Sequence, residues 1–163
     1  MQIMMAISPG LKKIFNRNIN IAPLVVFRII FGLMMLSSTI RFIKKGWIKE
    51  FYIDPKYHFT YYGFDWIKPF QDQGMYIIFG FLVACTVLIT FGFFYRISIT
   101  LYFLAFTYVE LLDKTYYLNH YYFISLISFI LIFLPAHRYF SLDSYFGICE
   151  KKRFIKSLYV NII

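Results

Sequence analysis

Leu111-Leu112-Asp113-Lys114-Thr115-Tyr116-Tyr117-Leu118-Asn119-His120-Tyr121-Tyr122-Phe123 is a polar hinge set between two strongly apolar runs. An ionised side chain at the centre of a membrane helix costs about 2.5–3.5 kcal/mol on insertion scales, so polar groups beside such helices must reach water or a partner. The stretch predicts two antiparallel apolar helices joined at a membrane boundary, with Asp113, Lys114, Asn119 and His120 on that boundary.

Working outward, the run over 97–112 covers about 24 Å as a helix, and the run over 121–134 covers less. Neither crosses a hydrocarbon core of about 30 Å unless the helices continue into the hinge. Upstream, the short turn at Tyr95-Arg96 predicts that a span over 74–94 returns beside the third one. A first span over 21–40 has roughly the 20 residues a bilayer requires, and Pro23 suits its first turn, where a missing N–H is harmless. The predicted fold is an all-α membrane protein, an antiparallel bundle of four transmembrane helices with a long aromatic-rich loop between helices 1 and 2.

Composition agrees. Of 163 residues, 60% are hydrophobic, 23% aromatic and only 15% charged, with a mean hydropathy of +0.63. Soluble domains carry closer to a quarter charged residues, and one globular core of this size could not hide so much apolar surface. Barrel strands would alternate apolar and polar residues, whereas these runs are continuous. The net charge of +9 is carried at the ends of apolar runs, where it anchors helices to anionic headgroups, so the partner it implies is the lipid bilayer and not nucleic acid. Cys85 and Cys149 lack the spacing of a metal or redox pair. His58, His120 and His137 share no ligand spacing, and no metal is predicted.

Residues 1–20 read as a basic headpiece with Lys12, Lys13 and Arg17, without the small-residue cleavage site of a secretory signal. Residues 21–145 form the transmembrane domain and 146–163 a basic tail. Arg28, two turns into the first span, either snorkels to headgroups or faces inward, pairing with an acid or binding a ligand oxygen. The connection from Arg41 to Gln73 holds Trp47, Phe51, Tyr52, Tyr57, Phe59, Tyr61, Tyr62, Phe64, Trp66 and Phe70. Such rings favour the interface, and Pro55, Gly63 and Pro69 break the stretch into turns, so it is expected to fold over one end of the bundle as a lid or binding element. An even number of spans puts both termini on one side, with the loop and the hinge together on the other. With the termini inside, basic residues number nine on the inner side and seven on the outer, a slight lean towards cytoplasmic termini. Lys114 follows Glu110 by four residues, so a structural ion pair is expected if the helix continues that far.

The motifs Val26-Phe27-Arg28-Ile29-Ile30-Phe31-Gly32, Tyr95-Arg96-Ile97-Ser98, Leu111-Leu112-Asp113-Lys114-Thr115, Asn119-His120 and Ser141-Leu142-Asp143, in that order, resemble the vitamin K-dependent gamma-carboxylase family. Its membrane part is called the horizontally transferred transmembrane domain (HTTM). The resemblance covers about residues 20 to 145. It implies a lyase that oxidises a reduced quinone with oxygen, the strong base so formed abstracting a proton from the gamma carbon of a glutamate that then adds carbon dioxide. It further implies that His120 and Asn119 are the catalytic pair, that Arg28, Asp113, Lys114 and Tyr117 border the substrate or quinone pocket, that reduced vitamin K or a related quinol is the cofactor and that a peptide is the substrate. His120 would polarise or hydrogen-bond the quinone oxygens, work suited to a group that donates and accepts near neutral pH.

The pattern departs in one respect. The family's quinone-deprotonating lysine lies on a later helix in a stretch resembling Ala-Gly-x-x-Lys-Leu, and these 163 residues hold no such stretch. The chain is therefore expected to be the N-terminal part of a longer protein, or to need its missing C-terminal half or another membrane subunit, and to be inactive alone. The alternative is a complete four-helix protein of DoxX-like size, a non-catalytic subunit or scaffold of a membrane complex.

Overall fold

The computed structural model describes residues 18–55, 57–70, 73–116 and 118–156. The basic positions Lys12, Lys13 and Arg17, the tail from 157 onward and the candidate pocket residue Tyr117 lie outside the described residues. The architecture is mostly helical: α1 (Ala22–Lys44), α2 (Gln73–Phe91), α3 (Tyr95–Leu111), α4 (Asn119–Phe133) and a single turn α5 (Leu142–Tyr145), with short strands β1 (Asn18–Asn20) and β2 (Phe154–Lys156).

The chain enters α1 with the Asn20 side chain accepting from the Ala22 N–H at 3.0 Å and Pro23 in the first turn, both of which deal with amides that a helix start leaves unbonded. α1 buries Leu24, Val25, Arg28, Phe31, Gly32, Met35 and Thr39, a spacing of three and four that puts them on one face. α2 does the same with Met75, Phe79, Leu82, Cys85, Thr86 and Ile89. These two faces meet head to tail: Gly32 lies so near the end of α2 that a Cβ there would come within 3.0 Å of the Thr90 nitrogen, while Phe42 stacks on Phe79 with centroids 5.0 Å apart at the other end. α3 and α4 are likewise antiparallel, with Phe103 beside Phe129 at 5.4 Å and Glu110 accepting from Ser125. The packed pairs are α1 with α2, α2 with α3 and α3 with α4, and a groove stays open between α1 and α4.

By length and composition α1 and α2, with 23 and 19 residues, can cross a membrane. α3 and α4 have 17 and 15 residues. The outward faces carry large exposed apolar side chains, among them Val26, Ile30, Leu33 and Met34 on α1 and Phe123, Leu126, Phe129 and Phe133 on α4. Continuous apolar exposure of this kind is not left in water by a soluble monomer.

One end of the bundle holds the termini of the described chain. β1 pairs antiparallel with β2, Ile19 opposite Ile155. The α2–α3 turn is tight, with Gly92 at φ +67 and Phe94 at φ +43. Asp143 closes it by accepting from the Phe94 N–H at 2.7 Å and the Tyr95 N–H at 3.0 Å, a carboxylate placed where the helix dipole of α3 favours negative charge. Arg28 reaches the same end, donating to the carbonyls of Ala136 at 2.9 Å and Phe140 at 2.8 Å.

Candidate functional site

The opposite end is covered by the loop over 45–70, which is fastened to the α3–α4 hinge at several points. The Lys114 N–H donates to the Phe59 carbonyl at 2.8 Å, the Tyr108 hydroxyl to the Lys68 carbonyl at 2.7 Å, and Phe51 stacks on Tyr116 with centroids 4.5 Å apart. Under this cover, α3 stops at Leu111 and the chain turns through Lys114–Tyr116 into α4.

Asp113 is the buried polar centre of the hinge, 5% exposed. One carboxylate oxygen accepts from the Thr115 N–H at 2.9 Å and from the Thr115 hydroxyl, and the other lies 3.2 Å from His58 Nδ1, from the loop. Burial opposes the Asp113 charge, but donation by Thr115 and His58 outweighs it and holds the carboxyl below the ordinary aspartate range. An ionised carboxylate only accepts, so the 3.2 Å contact requires the proton on His58 Nδ1, which leaves Nε2 as the lone-pair nitrogen of the neutral ring. A carboxylate-oriented imidazole is an arrangement suited to receiving a proton.

Beneath the loop is a cavity of about 60 Å³ lined by Thr39, Phe42, Tyr52, Phe79, Phe106, Glu110, Asp113 and Tyr121 among others. Tyr52 is buried, and its phenol is pushed up by that burial and by the nearby Tyr121, Asp113, Tyr116 and Glu110, so it is a hydroxyl donor at neutral pH. Glu110 is held by Ser125 across the α3–α4 contact. Alongside runs the groove between α1 and α4, about 970 Å³, lined by apolar side chains with Ser37, Ser38, Arg41 and His120 on its walls. Met35, Ser38 and Tyr121 border both the groove and the cavity. Tyr52 also borders a chamber of about 660 Å³ within the loop, where His58, Asp65 and Lys68 line the wall.

The profile of the HTTM domain matches residues 16–161. The chain belongs to the HTTM domain family. HTTM membership together with two apolar helices points to a membrane protein and to a relation with the vitamin K-dependent carboxylases. No solved structure matches the chain.

The site residues expected from sequence do not all gather in one place. His120 and Asn119 are exposed on the first turn of α4. His120 faces the groove, its ring edge-on to Tyr121 with centroids 4.5 Å apart. Asp113 is buried in the hinge and borders the cavity. Lys114 is exposed, and the expected Glu110–Lys114 pair is not formed: α3 ends at Leu111, so the helical register that would set the two side chains together is lost, and Glu110 turns to Ser125 instead. Arg28 lies at the other end of the bundle, away from His120. Its side chain is only 1% exposed and donates to backbone carbonyls, and no acid pairs with it directly among the described residues.

From the sequence alone His58 stands out only as a possible metal ligand and Tyr52 only as one of many interfacial rings. Nothing local marks His58, because its partner lies 55 positions away. The one available signal was a histidine in a loop expected to close over a hinge that carries an aspartate.

Proposed function

We propose that this HTTM protein spans the membrane with its four helices and binds a quinol-type ligand from the bilayer at the loop-covered end. The observation that carries the reading is the apolar groove between α1 and α4, which bears His120 and shares Met35, Ser38 and Tyr121 with a cavity edged by Glu110, Asp113 and Tyr52. The groove offers an apolar surface to a hydrocarbon tail and the shared wall offers donors and acceptors to ring oxygens, the mixture typical of small-molecule sites. Fit favours the groove over the cavity. The groove, about 970 Å³, is far roomier than the cavity, about 60 Å³, and has the room for a bicyclic ring.

A bound quinol would supply the reducing power for chemistry with oxygen. The residues of this chain have simpler tasks. His120 donates to or accepts from a ring oxygen at the groove mouth, Asn119 adds an amide beside it, Arg41 contributes positive charge, and the aromatic loop with Phe42 and Phe51 keeps water from the cavity. By the carboxylase resemblance the coupled reaction is carboxylation of a glutamate side chain in a peptide, with the lysine base coming from outside these residues. A second reading, a non-catalytic subunit seating a partner helix in the open groove, draws on the same opening between α1 and α4.

The test is titration of the full chain in nanodiscs with a menaquinone-type ligand, followed through quenching of Trp47 and Trp66. Saturable quenching that weakens about tenfold in His120→Ala, roughly one hydrogen bond to a polar ring oxygen, supports the quinol reading. Absence of saturable binding, with a second membrane protein retained on purification, supports the subunit reading.

A further inference from the structure

At the end of the bundle away from the loop, Arg28 presents a buried charge that no carboxylate among the described residues pairs with directly. Its guanidinium has five N–H donors. Three are directed to the carbonyls of Ala136, Phe140 and Thr90, the last at 3.5 Å, and Nε–H has no partner among the described residues. No carboxylate lies within ion-pair distance of Arg28 among the described residues. Asp143, whose two oxygens are bonded to the Phe94 and Tyr95 amides, acts on the guanidinium only from beyond that distance. A buried cation with an unmatched donor and no direct ion pair gains from further negative charge placed close to it.

Arg28 forms part of the wall of a pocket of about 510 Å³ between α1, the end of α2 and the 139–151 segment, bordered also by Thr90, Ser144, Tyr139 and Lys151 and, among the described residues, by no acidic one. Lys151 is exposed at the rim, its ammonium 5.8 Å from the Tyr139 ring centroid. Around the opening stand the exposed rings of Phe91, Phe140 and Tyr145, side chains that favour the depth of lipid headgroups and upper acyl chains. Buried positive charge in the wall, an exposed ammonium at the rim and apolar lips match a phosphate carried on a hydrocarbon anchor better than a free anion.

We propose that this pocket binds the phosphate of an anionic phospholipid, with Lys151 contacting the phosphate and Arg28 supplying the fixed charge beneath it. The site is separate from the quinol groove and does not depend on that reading.

The test is native mass spectrometry of the full chain released from vesicles containing equal phosphatidylglycerol and phosphatidylcholine. The expected result is selective retention of one phosphatidylglycerol, reduced roughly fivefold in Lys151→Ala and also in Ser144→Leu, which narrows the pocket without touching charge. Equal retention of the two lipids, or retention unchanged in both variants, overturns the proposal. Arg28→Lys keeps the charge but not the fork, and a folded Arg28→Lys protein with undiminished selectivity fits the role given to Arg28. Inorganic phosphate is titrated separately onto the lipid-free protein in detergent. Binding of phosphate that depends on Lys151 and is not displaced by phosphatidylglycerol overturns the lipid assignment in favour of a free phosphate site.

Discussion

His58 Nδ1 lies 3.2 Å from Asp113 Oδ2 across 55 positions of chain, a bond between two mostly buried side chains that ties the loop over the bundle end to the α3–α4 hinge. Asp113→Ala removes the acceptor of His58 and of the Thr115 amide together. Leaving buried donors unmatched costs about 1–3 kcal/mol each, so a loss of about 2–4 kcal/mol in unfolding free energy is expected, with faster amide exchange over 57–60. His58→Ala leaves Thr115 in place and costs less. Equal effects of the two variants would contradict the bonding described for Thr115.

The pH dependence of stability has two parts. Asp113 is held below the ordinary aspartate value, so it contributes stability that is present above about pH 3.9 and lost as pH falls through its folded value. His137, buried beside Tyr95, is also lowered, first by burial and then by the charge of Arg96. Its contribution is present above about pH 6.5 and declines as pH falls through its own folded value, because the unfolded chain takes up the proton first. Melting temperature should therefore hold steady above pH 6.5, fall in a first step below it and fall again below about pH 4. His137→Phe keeps a ring against Tyr95 and should remove the first step alone. A first step of the same size in that variant assigns it to another group.

The quoted motifs separate, on folding, into two clusters at opposite ends. Val26 to Gly32, Tyr95 to Ser98 and Ser141 to Asp143 converge where Arg28 meets the 136–140 carbonyls and Asp143 caps α3. Leu111 to Thr115 and Asn119-His120 meet under the loop. The helices were legible because apolar periodicity is local: the spans expected over 21–40, 74–94, 97–112 and 121–134 fall on α1 to α4. Their crossing of a bilayer is a separate matter that length supports for α1 and α2. The end to which Arg28 belongs, the His58–Asp113 bond and the pairing of β1 with β2 were not legible. Each depends on contacts between residues 55 or more positions apart, for which charge and hydropathy carry no register.

Gly92 and Gly80 should respond oppositely to alanine. Gly92 sits at φ +67, where an added Cβ would come within 2.5 Å of Arg28 Nη1 and 2.6 Å of Ser141 Cβ. Strain at positive φ costs about 1–3 kcal/mol, and displacement of Arg28 adds to it, so Gly92→Ala should lower stability by at least that much. Gly80 lies inside α2 with nothing within 4 Å of an added Cβ, so Gly80→Ala should raise stability by about 0.5–1 kcal/mol through helix propensity. Thermal melts of the two variants in the same detergent compare them directly, and a stabilised Gly92→Ala would contradict the close approach of Arg28 to the turn.

Glu110 provides a direct measure of where α3 ends. Were the helix to run on to Lys114, the two side chains would couple at i,i+4 by about 0.3–0.5 kcal/mol. With α3 ending at Leu111 and Glu110 bonded to Ser125, the coupling belongs to Glu110 and Ser125 instead. A hydrogen bond to a charged group contributes about 1.5–3 kcal/mol. Two double-mutant cycles with Glu110→Gln separate the cases, one with Lys114→Ala and one with Ser125→Ala. Near-zero coupling is expected in the first and at least about 1 kcal/mol in the second. The reverse pattern would extend α3 through the hinge, and with it would move Asp113 out of reach of His58, since a helical Asp113 could not keep its Thr115 turn while facing the loop.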